Sequence, residues 1–283
     1  MPSLYLTPTT IREALELAHR PGARILAGGT DYFPTAGEYP NDPVLVDVTR
    51  VEELRGISRR PDGFLLGATT TWTDIVTADL PAAFDCLKAA AVEVGSVQIQ
   101  NSATVAGNIC NASPAADGVP PLLALNADVI IACAAGERRV PLAAFIQGVR
   151  RTALQPGEIV TGIWIPNQPI SAGSCFEKLG SRKYLVISIA MVAAIVWTKA
   201  GLIEGARIAV GACSPVALRL PELEAALVGM PLDALDNPDL VAPAHLDALS
   251  PLSDPRGSAG YRLDAVAELC RRALRTAGGA EAE

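Results

Sequence analysis

Two short segments that combine glycine with other small residues carry the most chemical information in this sequence. They are Ile25-Leu26-Ala27-Gly28-Gly29-Thr30-Asp31 and Thr104-Val105-Ala106-Gly107-Asn108. Each follows residues that predict a strand, and each offers backbone N–H groups that no bulky side chain covers. One such segment is typical of an ordinary tight turn, whereas a pair of them could donate hydrogen bonds to the two phosphates of a diphosphate.

The residues around these segments do not fit the two common phosphate-binding motifs. Gly28-Gly29 belongs neither to G-x-G-x-x-G before a helix nor to G-x-x-x-x-G-K-[ST]. Because neither segment contains lysine or arginine, we expect oriented backbone dipoles and the Thr30 hydroxyl to meet the charge of the diphosphate.

Two further segments contain charged residues, and each segment has two possible interpretations. In Ser113-Pro114-Ala115-Ala116-Asp117, the Asp117 carboxylate can accept hydrogen bonds from ligand hydroxyls or can cap a helix that begins near Pro120. In Lys178-Leu179-Gly180-Ser181-Arg182, the two cations either lie beside a ligand or are solvated at a strand end.

Composition and spacing argue against several other classes of function. The two histidines, His19 and His245, have no nucleophile or carboxylate beside them, and the six cysteines form no C-x-x-C pair, so neither a hydrolytic site nor a zinc or iron–sulfur site is indicated. We expect the cysteines to be reduced thiols. The net charge of -7 argues against nucleic acid, and the longest apolar run, 185–197, is too short to cross a membrane.

The hydrophobic pattern predicts an α+β protein in two parts. We expect helices at 10–18, from 73, at 84–94 and at 120–125, with strands at 24–27, 44–48, 64–68, 128–134, 137–140 and 158–165. The segment Pro166-Asn167-Gln168-Pro169 predicts a linker. Beyond it we expect strands at 173–178, 188–198 and 202–212, with a hairpin turn at Lys199-Ala200-Gly201, and helices at 221–228 and 260–276. The predicted domains are 1–168, with subdomains of about 1–55 and 56–168, and 169–283.

Taken together, these motifs resemble the FAD-binding subunit of the molybdenum hydroxylases, the family of xanthine and carbon monoxide dehydrogenases. The resemblance runs from about Leu4 to Ala277, and Ala106 departs from it because the family usually has glycine there. It implies a two-part FAD-binding domain of the vanillyl-alcohol-oxidase/PCMH type. A small C-terminal domain with a three-stranded antiparallel sheet and helices is expected to follow.

The resemblance also implies which residues contact noncovalent FAD. The two glycine segments would hold the pyrophosphate, Asp117 with Ser113 the ribityl chain, and Lys178 the isoalloxazine ring. The implied cofactor-binding set is Ile25, Leu26, Ala27, Gly28, Gly29, Thr30, Asp31, Thr104, Val105, Ala106, Gly107, Asn108, Ser113, Asp117, Val160 and Lys178. No residue of this chain is expected to act as a catalytic acid, base or nucleophile or as a metal ligand.

The implied function is electron transfer within a cytoplasmic heterotrimer. Molybdopterin would lie in a large partner subunit and two [2Fe-2S] clusters in a small one, and FAD would pass electrons to NAD or another acceptor. Two alternatives remain open. One is a free-standing FAD-dependent reductase of the same fold, similar to the cell-wall precursor reductase, and the other is a structural subunit without flavin.

Overall fold

The computed structural model describes residues 4–35 and 44–279. The outer limits of the predicted domains, residues 1 and 283, lie outside these ranges. Within them, no helix combines the length and the apolar character that a membrane span requires.

Helices and strands alternate through the first part of the chain and are segregated in the second. The helices are α1 Ile11–Ala18, α2 Tyr32–Thr35, α3 Trp72–Thr77, α4 Asp85–Glu93, α5 Val97–Gln100, α6 Val105–Asn111, α7 Val119–Ala124, α8 Leu142–Phe145, α9 Pro221–Leu227 and α10 Ala259–Ala277. The strands are β1 Leu4–Leu6, β2 Ala23–Leu26, β3 Val44–Asp47, β4 Ile57–Arg60, β5 Gly63–Gly67, β6 Asp128–Cys133, β7 Gly136–Pro141, β8 Ile146–Gly148, β9 Arg151–Thr152, β10 Ile159–Pro166, β11 Gly173–Leu179, β12 Ala190–Lys199, β13 Leu202–Gly211 and β14 Leu218–Arg219. Short 3₁₀ helices occupy Val48–Arg50, Glu52–Leu54, Ala82–Phe84, Leu232–Asp236 and Pro243–Leu246.

The N-terminal part contains two main sheets. The first is parallel and has the strand order β1-β3-β2, so that β2 and β3 end side by side at Leu26 and Asp47. The second is antiparallel with the order β4-β5-β10-β6-β7. A capping box begins α3, because the Thr71 hydroxyl accepts from the Asp74 N–H while the Asp74 carboxylate accepts from the Thr71 N–H.

The C-terminal part is an antiparallel sheet with the order β11-β12-β13-β14. The hairpin predicted between β12 and β13 is present, and Ala200 and Gly201 both have positive φ, as a type I′ turn requires. The prediction of three strands is wrong by one. Residues Leu218–Arg219 add a fourth, two-residue strand along the end of β13, which is too short to show a strand pattern in the sequence.

Strand β12 is buried on both of its faces. Ala193 and Ile195 pack into the core of the N-terminal part, whereas Val192, Ala194 and Val196 pack into a second core beneath α9 and α10. Since neighbouring side chains of a strand point to opposite faces, a continuous apolar run is what burial on both sides requires. Most of the longest apolar run of the sequence therefore lies in the strand that joins the two domains.

We predict that Ile195→Ala lowers the free energy of unfolding by about 2–5 kcal/mol, because it leaves a cavity at the contact between the domains. Ile195 is fully buried, whereas Leu202 at the far end of the hairpin is 46% exposed. Leu202→Ala serves as the matched control and is expected to cost less than about 1 kcal/mol. Denaturant unfolding measures both, and equal losses would contradict the packing of β12 between two cores.

Candidate functional site

A cleft of about 330 Å³ opens beside the ends of β2 and β3. It lies where the two predicted glycine segments approach each other, and ligands commonly bind beyond the carboxyl ends of parallel strands. The cleft is lined by Tyr5, Leu26, Ala27, Gly28, Phe33, Asp47, Thr49, Arg55, Thr69, Thr71, Asn101, Ser102 and Thr104.

Gly28 brings the first segment into direct contact with the loop that precedes the second. A Cβ atom on Gly28 would stand 1.8 Å from the carbonyl oxygen of Ser102, so only glycine fits at this approach. Gly29 has a φ of +69°, and the chain there turns into α2, where the Phe33 N–H donates to the Gly29 carbonyl at 3.0 Å. The first segment is therefore the loop after a strand that the sequence predicts.

The second segment is not a turn after a strand, and that prediction is wrong. Residues Val105–Asn111 form α6, and the Thr104 hydroxyl caps this helix by accepting from the Gly107 N–H at 2.9 Å. The segment follows α5 and a loop rather than a strand. The sequence signal for a helix start was present, since threonine is a favoured N-cap residue, but the glycine at position 107 obscured it.

The cap changes which backbone groups are free to bind a ligand. The N–H groups of Gly107 and Asn108 bond to the side chain and carbonyl of Thr104, and the Val105 N–H bonds to the Thr70 carbonyl. Within the described ranges, the Ala106 N–H has no such acceptor. Ala106 itself has helical backbone rather than positive φ, so its departure from the family's glycine causes no backbone strain.

Backbone hydrogen bonds connect α6 to the end of the second sheet. Thr71 and Thr104 form an antiparallel bridge, in which the Trp72 N–H donates to the Ala103 carbonyl at 3.2 Å and the Val105 N–H to the Thr70 carbonyl at 3.0 Å. Thr71 and Thr104, which both line the cleft, are therefore fixed relative to each other.

Asp117 and Lys178 form a buried ion pair away from this cleft. The Lys178 ammonium donates to one oxygen of Asp117 at 2.8 Å and to the Glu93 carbonyl at 3.3 Å, and the Ser188 hydroxyl donates to the other Asp117 oxygen at 2.6 Å. The side chains of Lys178 and Asp117 are only 6% and 12% exposed. The pair joins a loop of the N-terminal part to β11 of the C-terminal part.

This geometry decides between the readings that the sequence left open for each residue. Asp117 does not cap α7, whose N-cap residue is Gly118 without a side-chain hydrogen bond, and Lys178 is not a solvated charge. Burial raises the pKa of Asp117 above the ordinary value, while the charge of Lys178 and the hydrogen bonds from Lys178 and Ser188 oppose that rise.

The other predicted site residues have different surroundings. Val160 is buried in the core on β10, and Val105 is buried on α6. Asp31 is exposed, and the Ser113 hydroxyl accepts from the Ala115 N–H within its own turn. Leu26, Ala27, Gly28 and Thr104 are the predicted residues that line the cleft. Contact of any of the sixteen residues with FAD stays a prediction.

Sequence reasoning missed a polar group of the cleft that comes from neighbouring strands. The Tyr5 hydroxyl donates to Asp47, whose other oxygen accepts from the N–H and hydroxyl of Thr49 at 2.9 and 2.6 Å. The hydrogen bond to Asp47 raises the pKa of Tyr5 to about 12. The position of Asp47 at a strand end was the available signal, but its pairing with β1 is a tertiary feature.

The residues present fit a dinucleotide such as FAD. The close approach at Gly28, the free N–H of Ala106 and hydroxyl groups in the cleft suit phosphate oxygens. On α6, the buried Oδ1 of Asn108 has no hydrogen-bond partner within the described residues, as expected for a polar group that a ligand completes.

Comparisons with known proteins agree with this fit. The family described as "FAD binding domain in molybdopterin dehydrogenase" matches residues 2–168, and the "CO dehydrogenase flavoprotein C-terminal domain" matches residues 175–277. The putative xanthine dehydrogenase FAD-binding subunit of Escherichia coli (strain K12) is 32% identical, with 97% of each chain covered. The carbon monoxide dehydrogenase medium chain of Afipia carboxidovorans is 31% identical, with 96% of each covered. A chain of reconstituted CO dehydrogenase from Oligotropha carboxidovorans has a TM-score of 0.91 at 30% identity, and 99% of each chain is covered.

We predict that Gly28→Ala strongly lowers the flavin content of the purified protein. The added methyl group would collide with the Ser102 carbonyl, so the two loops must separate. Gly260→Ala is the matched control, because a Cβ atom there meets nothing within 4 Å. The ratio of flavin to protein absorbance measures the effect, and full flavin content in Gly28→Ala would show that the close approach does not shape the cofactor site.

Proposed function

The chain belongs to the family of FAD-binding subunits of the molybdenum hydroxylases, and on that premise we propose that it passes electrons from the iron–sulfur clusters of a partner subunit through FAD to NAD or another acceptor. It is an oxidoreductase subunit with FAD as its cofactor. Molybdopterin and iron–sulfur clusters belong to other subunits in complexes of the carbon monoxide dehydrogenase type.

The observation that carries this proposal is the cleft at Gly28 and Thr104, in which glycine and threonine residues from separate segments converge. When bound, FAD supplies the redox chemistry by accepting electrons singly and releasing them in pairs. The chain's own residues hold the cofactor. We assign the pyrophosphate to the cleft, where backbone donors and hydroxyl groups can bind its oxygens.

The Asp117–Lys178 pair has a separate role in the proposal. Both side chains are buried and hydrogen-bonded, so the two charges are held in fixed positions where the two domains meet. We propose that the ribityl chain and the isoalloxazine ring lie next to this pair, with Lys178 toward the ring. A fixed positive charge there favours the reduced cofactor, which carries more negative charge.

The partners and the location of the complex follow from the same family. The relative from Afipia carboxidovorans is a medium chain, which supports a heterotrimer with a large molybdopterin-binding and a small [2Fe-2S] subunit. We propose that the complex is cytoplasmic. The substrate that the complex hydroxylates is determined by the large subunit rather than by residues of this chain.

We expect denaturation of the purified chain to release FAD. Noncovalent binding is predicted because neither histidine bonds to Asp117 or Lys178, beside which we place the ring: His19 Nδ1 bonds to the Leu15 carbonyl, and His245 Nδ1 accepts from the Ala242 N–H. A diphosphate explains why two segments face one cleft. Chromatography of the supernatant after acid precipitation identifies the cofactor. Release of FMN, retention of flavin on the protein, or an absorbance spectrum without flavin would each contradict the proposal, and the last result would favour a structural subunit.

An activity measurement tests the free-standing alternative. Electron transfer from NADH to an artificial dye needs only the flavin subunit, whereas substrate hydroxylation also needs the partner subunits. A free-standing reductase would reduce its own natural substrate without partners. The proposed subunit would show at most dye reduction.

We predict opposite shifts of the flavin reduction potential when either member of the buried pair is neutralised. Lys178→Met leaves the Asp117 charge and should lower the potential, by about 20 mV for a differential interaction of about 1 kcal/mol. Asp117→Asn leaves the Lys178 charge and should raise it. The double variant should return toward the wild-type value.

Redox titration against dyes measures these potentials. Lys199→Met is the matched control, since Lys199 is 79% exposed in its side chain and lies at the opposite end of β12. Unfolding should also show that Lys178→Met is less stable than the double variant, because it leaves the buried Asp117 charge without its cation. Asp117→Asn should lose less stability, since the Glu93 carboxylate also lies 4.0 Å from the Lys178 ammonium. Unchanged reduction potentials with intact flavin would show that the Asp117–Lys178 pair does not lie near the isoalloxazine ring.

A further inference from the structure

Arg55 brings a positive charge to the cleft that neither glycine segment provides. It follows the 3₁₀ helix Glu52–Leu54, has extended backbone, and lines the cleft together with Gly28 and Thr104. No local pattern connects Arg55 with either segment, because it lies 27 positions from Gly28 and 49 from Thr104.

Hydrogen bonds hold the backbone on both sides of Arg55. The Leu54 carbonyl accepts from the N–H and the hydroxyl of Thr69, both at 2.8 Å. The Gly56 carbonyl accepts from the Thr70 hydroxyl at 3.0 Å and from the Gly67 N–H at 2.9 Å. The chain from which the guanidinium extends is therefore fixed on two sides.

The same threonine segment is bonded to the residues around Thr104. The Thr70 carbonyl accepts from the Val105 N–H, and Thr71 bridges to Thr104. Arg55 is thus connected to the second predicted phosphate-binding segment through a short series of backbone hydrogen bonds. The Arg55 side chain itself is exposed.

Among the described residues, the cleft lining contains one carboxylate and one guanidinium. Asp47 is the carboxylate in the cleft lining, and its oxygens already accept hydrogen bonds from Tyr5 and Thr49. Across residues 4–35 and 44–279, the Arg55 guanidinium has neither a hydrogen bond nor an ion pair. An exposed, unpaired guanidinium in the lining of a cleft whose carboxylate already accepts hydrogen bonds from the protein suits an anionic ligand.

We propose that Arg55 binds the pyrophosphate of FAD and supplies the cation for this diphosphate site. This inference rests on the proposed function for the identity of the ligand. Arginine presents several N–H donors in one plane and can contact two phosphate oxygens at once. Arg55 would then add a cation, from outside both glycine segments, to the backbone dipoles and the Thr30 hydroxyl that the sequence predicts for the diphosphate.

The test compares FAD binding by the flavin-free full-length chain with that by Arg55→Gln. We expect the dissociation constant to rise roughly tenfold, as for the loss of one charge-assisted hydrogen bond. The difference should shrink when NaCl is raised from about 50 mM to about 500 mM, because salt screens an exposed charge. Arg55→Lys should recover part of the affinity. Arg60→Gln, at an exposed arginine five residues further along that does not line the cleft, is the matched control.

Competition experiments identify the part of the ligand that Arg55 contacts. The affinity for ADP should fall in Arg55→Gln by the same factor as the affinity for FAD. Riboflavin, which has no phosphate, should bind wild type and variant equally. Equal FAD affinity of wild type and Arg55→Gln, or an equal loss for riboflavin, would overturn the assignment of Arg55. Failure of the wild-type chain to bind FAD would instead overturn the proposed function, and ADP binding that still depends on Arg55 would then preserve the phosphate site.

Discussion

Burial of strand β12 between two cores is the constraint on which the arrangement of the domains depends. Its alternate side chains belong to the N-terminal core and to the core beneath α10. Exposure of either face would uncover a row of aliphatic side chains. The free-energy cost would be roughly 25 cal/mol for each Å² of apolar surface exposed to water. The C-terminal sheet is therefore held against α4 and α7, and any site that uses residues of both domains inherits a fixed geometry.

The charged groups at the domain contact follow from that packing. Asp117 and Lys178 come from different domains and meet because β11 lies against α4, whose last residue Glu93 also accepts from Lys178. Removal of such charges from water is costly unless each is paired and hydrogen-bonded, and the Ser188 hydroxyl completes the pairing. The apolar contact thus brings the two domains together, and the ion pair requires that Asp117 and Lys178 lie opposite each other.

The cleft depends on a different kind of contact, in which backbones approach each other closely. Gly28 lies against the Ser102 carbonyl, and the bridge between Thr71 and Thr104 joins the second sheet to the start of α6. These contacts leave several hydroxyl groups and one free guanidinium around a small volume. The site is therefore formed by several separate chain segments, of which the sequence motifs mark two.

The sequence by itself determined most of the helices and strands and the turn of the β12–β13 hairpin. Threonine caps, apolar periods and the Lys199-Ala200-Gly201 turn are local signals, so the helix at Ile11–Ala18 and the hairpin of β12 and β13 could be predicted. The motif resemblance extended this to the family and to FAD. Local reasoning failed at Thr104–Asn108, where a glycine suggested a turn although the Thr104 cap begins a helix. It also failed at Leu218–Arg219, whose strand exists only because β13 offers a partner.

Only the tertiary structure decided which side chains meet. The pairing of Asp117 with Lys178 spans 61 positions, and the cleft joins Tyr5, Arg55 and Thr104. No periodicity in the chain encodes such contacts, because they result from the packing of whole sheets and helices. The sequence thus specified which groups are available for binding, and the burial of β12 together with the backbone bridge at Thr104 determined where those groups lie.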